Sequence, residues 1–193
     1  MDIIVSTGNK HKLKEIKTLF SDINVTIKSL YDVLDAVPEI VEDGQSFEEN
    51  AFKKIDWIKP KENSLFIADD SGLVVPALNG EPGIFSARYA GVGATDLENC
   101  QKLLQEMDTI QNRDAYFYCV IAVLFPDGNK MSFSGRVDGH ITPHITGEKG
   151  FGYDPLFIPK GYDKTFACLP AEIKNSCSHR FNALGSFKKY LKP

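Results

Sequence analysis

An α/β fold is predicted for this 193-residue chain by three observations. Short apolar runs of strand length alternate with segments whose apolar residues recur every three or four positions. Clusters of Gly, Pro, Asn, Asp and Ser separate these runs. The alternation holds from end to end without repeat, low-complexity tract or long linker, so residues 1–193 read as a single domain, either one body or two small lobes.

Taken in order, Ile3 to Val5 is a short buried strand, STGN a turn, and Leu13, Ile16, Leu19 and Phe20 mark one face of the following helix. Ser46 with Glu49 three residues later predicts a capping box, opening a helix through FEENAFKKIDWI that Pro60 ends. Leu65 to Ala68 predicts a buried strand, followed at once by Asp69 and Asp70. TDLENCQKLLQEM, Thr95 to Met107, predicts a capped helix; AYFYCVIAVLF and KMSFSGRVDGHI then predict two strands joined as a hairpin by the turn PDGN. The pattern SHRFNALGSFKKYL predicts a last helix with Phe181, Leu184 and Phe187 on one face and basic residues near its end. A hairpin added to strand–helix–strand units makes the sheet mixed.

Composition narrows the function. Lysine plus arginine total 22 against 26 acids, a net charge of −4, so no general attraction to nucleic acid or anionic membrane is expected and any anionic ligand is met locally. Cys100, Cys119, Cys168 and Cys177 form no CxxC pair, and MDIIVSTG carries no leader pattern, which fits a reducing cytoplasm. No apolar run approaches the roughly 20 residues of a membrane span.

Five stretches carry chemistry. STGNKHK delivers a small-residue turn to a helix start, where backbone N–H groups and the dipole favour an anion and Lys10 and Lys12 add charge; an ordinary capped helix start reads the same way. Asp69 and Asp70 set two like charges side by side, which calls for a shared proton, a nearby base or a divalent cation unless they merely cap a turn. If the chain stays extended there, the two side chains point to opposite sides. PEIVEDG adds Glu39, Glu42 and Asp43, either further oxygen ligands or a solvated acidic loop. GEKGFGYDPLF surrounds Asp154 with glycine and aromatics, so Phe151 or Tyr153 offers a ring face and glycine frees backbone groups for a heterocycle edge; a tight loop on the core is the alternative. AEIKNSCSHRF gathers Lys174, His179 and Arg180.

In order and wording these stretches closely resemble the inosine triphosphate pyrophosphatase family, the Ham1-like noncanonical purine nucleoside triphosphate pyrophosphatases. The segments that carry the resemblance are STGNKHKLKEI, EIVEDGQSFEENAFKK, ADDSGLVVPALNGEPGIFSARYAG, GFGYDPLFIP and KNSCSHRFNAL, and they span nearly the whole chain. The resemblance implies an elongated α/β fold in two lobes, with a long twisted mixed sheet flanked by helices and the active-site cleft between the lobes. It implies hydrolysis of ITP, dITP and XTP to the monophosphate and pyrophosphate, which cleanses the nucleotide pool and prevents incorporation into DNA and RNA. It also implies a cytoplasmic homodimer dependent on Mg²⁺, with Mn²⁺ as substitute, and without nucleic-acid or membrane partners.

Carried over residue by residue, the resemblance gives Thr7, Gly8, Asn9, Lys10, His11 and Lys12 to the triphosphate, with Lys53 adding charge and Ser71 contacting substrate. Asp70 is the implied catalytic acid and metal ligand, joined by Glu39 or Glu42. Phe151, Gly152, Tyr153 and Asp154 grip the base, and Lys174, His179 and Arg180 read its edge or clamp the ligand. Cys168 departs from the pattern, standing where relatives commonly carry an acid. A non-catalytic nucleotide sensor and a Maf-like pyrophosphatase are the alternatives, the first disfavoured by Asp69 and Asp70 and the second by the SHR and GFGYD wording.

Overall fold

A computed structural model describes residues 1–34 and 36–191; the side chain of His11, assigned above to the triphosphate, lies outside the described set. Among the described residues the sheet has six strands in the order β2-β1-β3-β4-β5-β6: β1 Asp2–Val5, β2 Thr26–Ser29, β3 Ser64–Val74, β4 Asp114–Leu124, β5 Lys130–Ile141 and β6 Phe157–Pro159. β1 runs parallel to both β2 and β3, whereas β5 and β6 are antiparallel, so the sheet is mixed as expected. β4 and β5 form the expected hairpin around PDGN, closed by Phe125 N–H donating to Asn129 O at 2.9 Å.

Among the described residues five α-helices accompany the strands: α1 Lys10–Leu19, α2 Phe47–Asp56, α3 Asp96–Glu106, α4 Ala171–Cys177 and α5 His179–Leu191. Thr95 and Glu98 make a reciprocal capping box at α3. At α2 the box is only half made: Ser46 accepts from Glu49 N–H, but Glu49 Oε2 accepts from Gln45 N–H at 2.8 Å, one residue beyond the cap. α4 and α5 are separated at Ser178, whose extended backbone ends one helix and whose Oγ accepts from Phe181 N–H to start the next.

The chain packs as two compact units, Met1–Asp70 with Cys119–Gly135 and Ala183–Pro193, and Ser71–Tyr118 with Arg136–Asn182. The core of the first gathers Ile3 and Val5, Leu65 and Ile67, and Cys119, Ile121 and Val123, residues two apart on each strand, with Ile16 and Phe20 near α1 and Leu184 and Phe187 on α5. Ile4, Phe66, Ala68, Val120 and Ala122 are buried as well, so these strands are covered on both faces and read as continuous apolar runs. Each fully buried Leu, Ile or Phe stabilises by roughly 1.5–3 kcal/mol. The core of the second unit combines Leu73 and Val75, Cys100 and Leu103 of α3, Phe117, Tyr153, Phe157 and Phe166.

β3 corrects the sequence reading. It does not stop at Ala68 but continues through both acids to Val74, and Asp69 and Asp70 lie within it, 2% and 6% exposed.

Candidate active site

In the first unit, β1 ends into the Ser6–Asn9 turn. Thr7 Oγ1 accepts from Asn9 N–H at 3.2 Å, and Asn9 Oδ1 accepts from Lys12 N–H at 3.2 Å, so Asn9 caps α1. That cap sets Lys12 in the first turn, where its ammonium meets Asp69 Oδ2 at 2.9 Å. Lys10 and Gly8 are exposed.

The neighbouring acid is served from a different helix. Lys54, on α2, lies 3.0 Å from Asp70 Oδ1 and 3.2 Å from Glu42, and it also donates to Asp69 O at 3.0 Å. Because adjacent strand residues project to opposite faces, each acid is paired with its own lysine, and this offsets the repulsion between the two carboxylates. Burial raises the Asp70 pKa above the usual carboxylate range, and Lys54 counteracts only part of the rise. For Lys54 burial alone would lower the pKa, but Asp70, Glu42 and Asp69 outweigh it and hold the ammonium protonated.

Lys54 is the residue that sequence reasoning missed. Its neighbour Lys53, the lysine assigned above, points to Asp43 on the acidic loop instead. Adjacent helical positions face directions about 100° apart, so the wording KK gives no sign of which reaches the acids. Glu42 approaches the site through Lys54, whereas Glu39 is exposed. The acidic loop is held where Gly44 N–H donates to the buried Asn50 Oδ1 at 2.8 Å; a Cβ on Gly44 would stand 2.6 Å from that oxygen.

A hard cation fits the donor set. Asp70 Oδ2 is buried without a hydrogen-bond partner, and Glu42 and Asp70 already converge on one positive charge. Among the described residues no group of three or more His, Cys, Asp or Glu is arranged to hold a metal, so the protein would supply two carboxylates, a set that suits a Mg²⁺ retaining water and substrate oxygens.

In the second unit, Asp154 organises the glycine-rich loop. Its Oδ2 accepts from Phe151 N–H at 2.9 Å and from Lys174 at 2.6 Å. Lys174 sits 4.3 Å from the centre of the half-buried Phe151 ring, with the Arg180 guanidinium 5.9 Å from it. Gly150 is required here: φ is +82°, and a Cβ would fall 2.1 Å from Asp154 Oδ2. Arg180, almost fully buried, donates to Ser71 Oγ at 3.2 Å, and the buried His179 stacks on Phe117 at 4.8 Å.

Two expectations change. Tyr153 offers no ring face, because it is buried in the core with its hydroxyl donating to Ser86 O at 2.8 Å. Nor does glycine free the amides of Phe151 and Gly152, which donate to Asp154 and Asp96. Cys168, the departure from the expected acid, packs beside Gly147, where a Cβ would stand 2.8 Å from its Sγ. All four cysteines are free thiols, and no helix among the described residues is long and apolar enough to cross a membrane.

Sequence and fold comparisons point to a single family. The profile of the Ham1 family matches residues 3–190. The dITP/XTP pyrophosphatase of Desulfotalea psychrophila is 47% identical over 96% of this chain and 83% of its own length, and that of Oceanobacillus iheyensis 45% identical over 98% and 97%. The Ham1 protein of Staphylococcus aureus superposes with a TM-score of 0.88 at 40% identity, covering 100% of this chain and 98% of that one. A HAM1 protein from Coxiella burnetii gives 0.89 at 36% identity, covering 99% and 98%. With its described α/β architecture and nearly its whole length matched, the chain belongs to the Ham1 family.

Proposed function

We propose that this protein hydrolyses noncanonical purine nucleoside triphosphates, dITP, XTP and ITP, to the monophosphate and pyrophosphate. The observation that carries the reading is the buried Asp70, paired with Lys54 through one oxygen and left with a second buried oxygen that no protein group satisfies. The names of the curated relatives, dITP/XTP pyrophosphatases, supply the substrate class.

Water attacks the α-phosphorus; an O–P bond forms, the bond to the bridging oxygen of the β-phosphate breaks, and pyrophosphate leaves. Asp70 accepts the proton of the attacking water, a role suited to a carboxylate whose proton affinity is increased by burial. Lys12 and the α1 N-terminus attract the triphosphate, and Lys54 keeps Asp70 oriented. Asp70 and Glu42 would hold Mg²⁺, or Mn²⁺ in its place. Such a cation, when bound, neutralises phosphate charge and acidifies water. Phe151 is assigned to stack the base, while Lys174, His179 and Arg180 are the side-chain donors that favour a 6-oxo group over the 6-amino group of adenine. We place the protein in the cytoplasm as a homodimer acting on free nucleotides; the free thiols support a reducing compartment.

The test is pyrophosphate release from dITP, XTP, ITP, GTP and ATP with Mg²⁺, beside an EDTA control. Metal-dependent release with IMP and XMP as co-products is expected. Binding without turnover would make the protein a sensor, and orthophosphate release would move the attack to another phosphorus.

A further inference from the structure

Besides the bonds that Asp154 and Tyr153 make to Lys174 and Ser86, the loop assigned to the base is held by a helix given no role so far. Gly152 N–H donates to Asp96 Oδ2 at 2.6 Å, and Gly152 O accepts from the Cys100 thiol at 3.4 Å. Asp96 and Cys100 stand one turn apart on α3, so a single helix face grips both polar groups of one residue. Burial pushes the Cys100 thiol up to about 12, reinforced by Asp96 and Asp154, so it stays a protonated donor. Gly152 has φ of +58°, and nothing lies within 4 Å of a Cβ built there, so these two bonds hold it on a side where no side chain packs. Tyr153, the next residue, is sunk in the core. Phe151, the residue before, has a half-buried ring and an amide that donates to Asp154 within the loop. The frame of α3 is itself firm, with a full capping box at its start and Cys100 and Leu103 buried.

We propose that Asp96 is a positioning residue for base discrimination: by holding the Gly152 amide it fixes how the Phe151 ring is presented to the purine. The inference rests on the assignment of the 150–154 loop to the base. Asp96 also sits in the first helical turn, where any acid interacts favourably with the dipole, so the test must separate charge from hydrogen bond. Asp96→Asn keeps an acceptor and removes the charge; Asp96→Glu keeps the charge and moves the carboxylate one carbon further away.

Steady-state kinetics with dITP, XTP, GTP and dATP are measured on the full chain, together with inhibition by inorganic tripolyphosphate, which has no base. Asp96→Glu and Asp96→Ala are expected to raise KM for dITP by about tenfold, the equivalent of one ordinary hydrogen bond. With it the preference for dITP over dATP shrinks, while kcat and the tripolyphosphate inhibition constant stay within about twofold. Asp96→Asn is expected to match wild type in all of these. A helix-stabilising role predicts the reverse order, with Glu harmless and Asn impaired, and that result overturns the proposal, as does an unchanged KM in Asp96→Glu. If Asp96→Ala fails to fold, the Glu and Asn pair decides alone. Wild-type protein that releases no pyrophosphate from dITP or XTP overturns the underlying reading together with the inference.

Discussion

Lys54 stands between Asp70 and Glu42, 3.0 Å from one carboxylate and 3.2 Å from the other. It is a single charge serving two acids, with its side chain 12% exposed. Removing it leaves buried negative charge without compensation, which costs more than the pair itself contributes. Lys54→Met is therefore expected to destabilise the protein by about 3–5 kcal/mol at neutral pH. Because the Lys54 pKa is raised in the folded state, its stabilising contribution is complete below the ordinary lysine range and is lost only as pH rises through the raised value. Denaturant titration of wild type and variant at pH 7 measures the difference; equal midpoints would remove Lys54 from this role.

Asp70 shares the sign of that linkage but in the carboxylate range, with the neutral form favoured in place of the charged one. Its pKa is raised by burial, so folding favours the protonated form: that contribution is present below the ordinary carboxylate range and lost as pH rises through the raised value. In metal-free protein Asp70→Asn should then melt no lower than wild type at pH 7, with the difference narrowing as the pH falls and wild-type Asp70 takes up its proton. Turnover is expected to drop by about 10²- to 10⁴-fold, the usual contribution of a general base. The acid limb of the wild-type pH–rate profile should lie above the ordinary carboxylate range and move higher still in Lys54→Met, which loses the main influence holding it down. An acid limb unmoved by Lys54→Met would show that another group controls the rate.

The proposed cation site predicts different roles for the two loop glutamates. Glu42 shares Lys54 with Asp70, whereas Glu39 is exposed. Glu42→Gln should weaken Mn²⁺ binding, followed by electron paramagnetic resonance without nucleotide, by at least about tenfold, the least expected when a metal's immediate surroundings are altered. Glu39→Gln should leave it unchanged. Comparable losses in both variants would place the cation nearer the start of the loop.

Most of the architecture was legible because its signals are local. Capping residues at Ser46 and Thr95, apolar spacing in α1 and α5, and a turn sequence between β4 and β5 all act within a few positions. β2, TIKS, and β6, FIP, are too short to show a period. The full length of β3 is hidden in the sequence because two acids look like the end of a buried strand, and the groups that keep them in it, Lys12 and Lys54, come from distant helices. The site followed the same rule. Motifs located the Asp70, Phe151 and Asp154 neighbourhoods, but the choice of Lys54 over Lys53, the burial of Tyr153 and the Asp96 contact depend on long-range packing.

The two glycines beside Phe151 separate backbone strain from collision. Gly150 and Gly152 both have positive φ, so alanine at either adopts a conformation costing about 1–2 kcal/mol. At Gly152 a Cβ meets nothing within 4 Å, and that backbone cost is the whole effect. At Gly150 the Cβ lies 2.1 Å from Asp154 Oδ2, the atom that binds both Phe151 N–H and Lys174, so the carboxylate is displaced and two bonds are weakened together. Gly150→Ala should therefore lower the melting temperature more than Gly152→Ala and raise KM for dITP more strongly. Its effect should be smaller in an Asp154→Ala background, where the colliding carboxylate is already gone. A double-mutant cycle on melting temperature and KM measures this coupling; strictly additive effects would mean that Gly150 acts through its backbone alone.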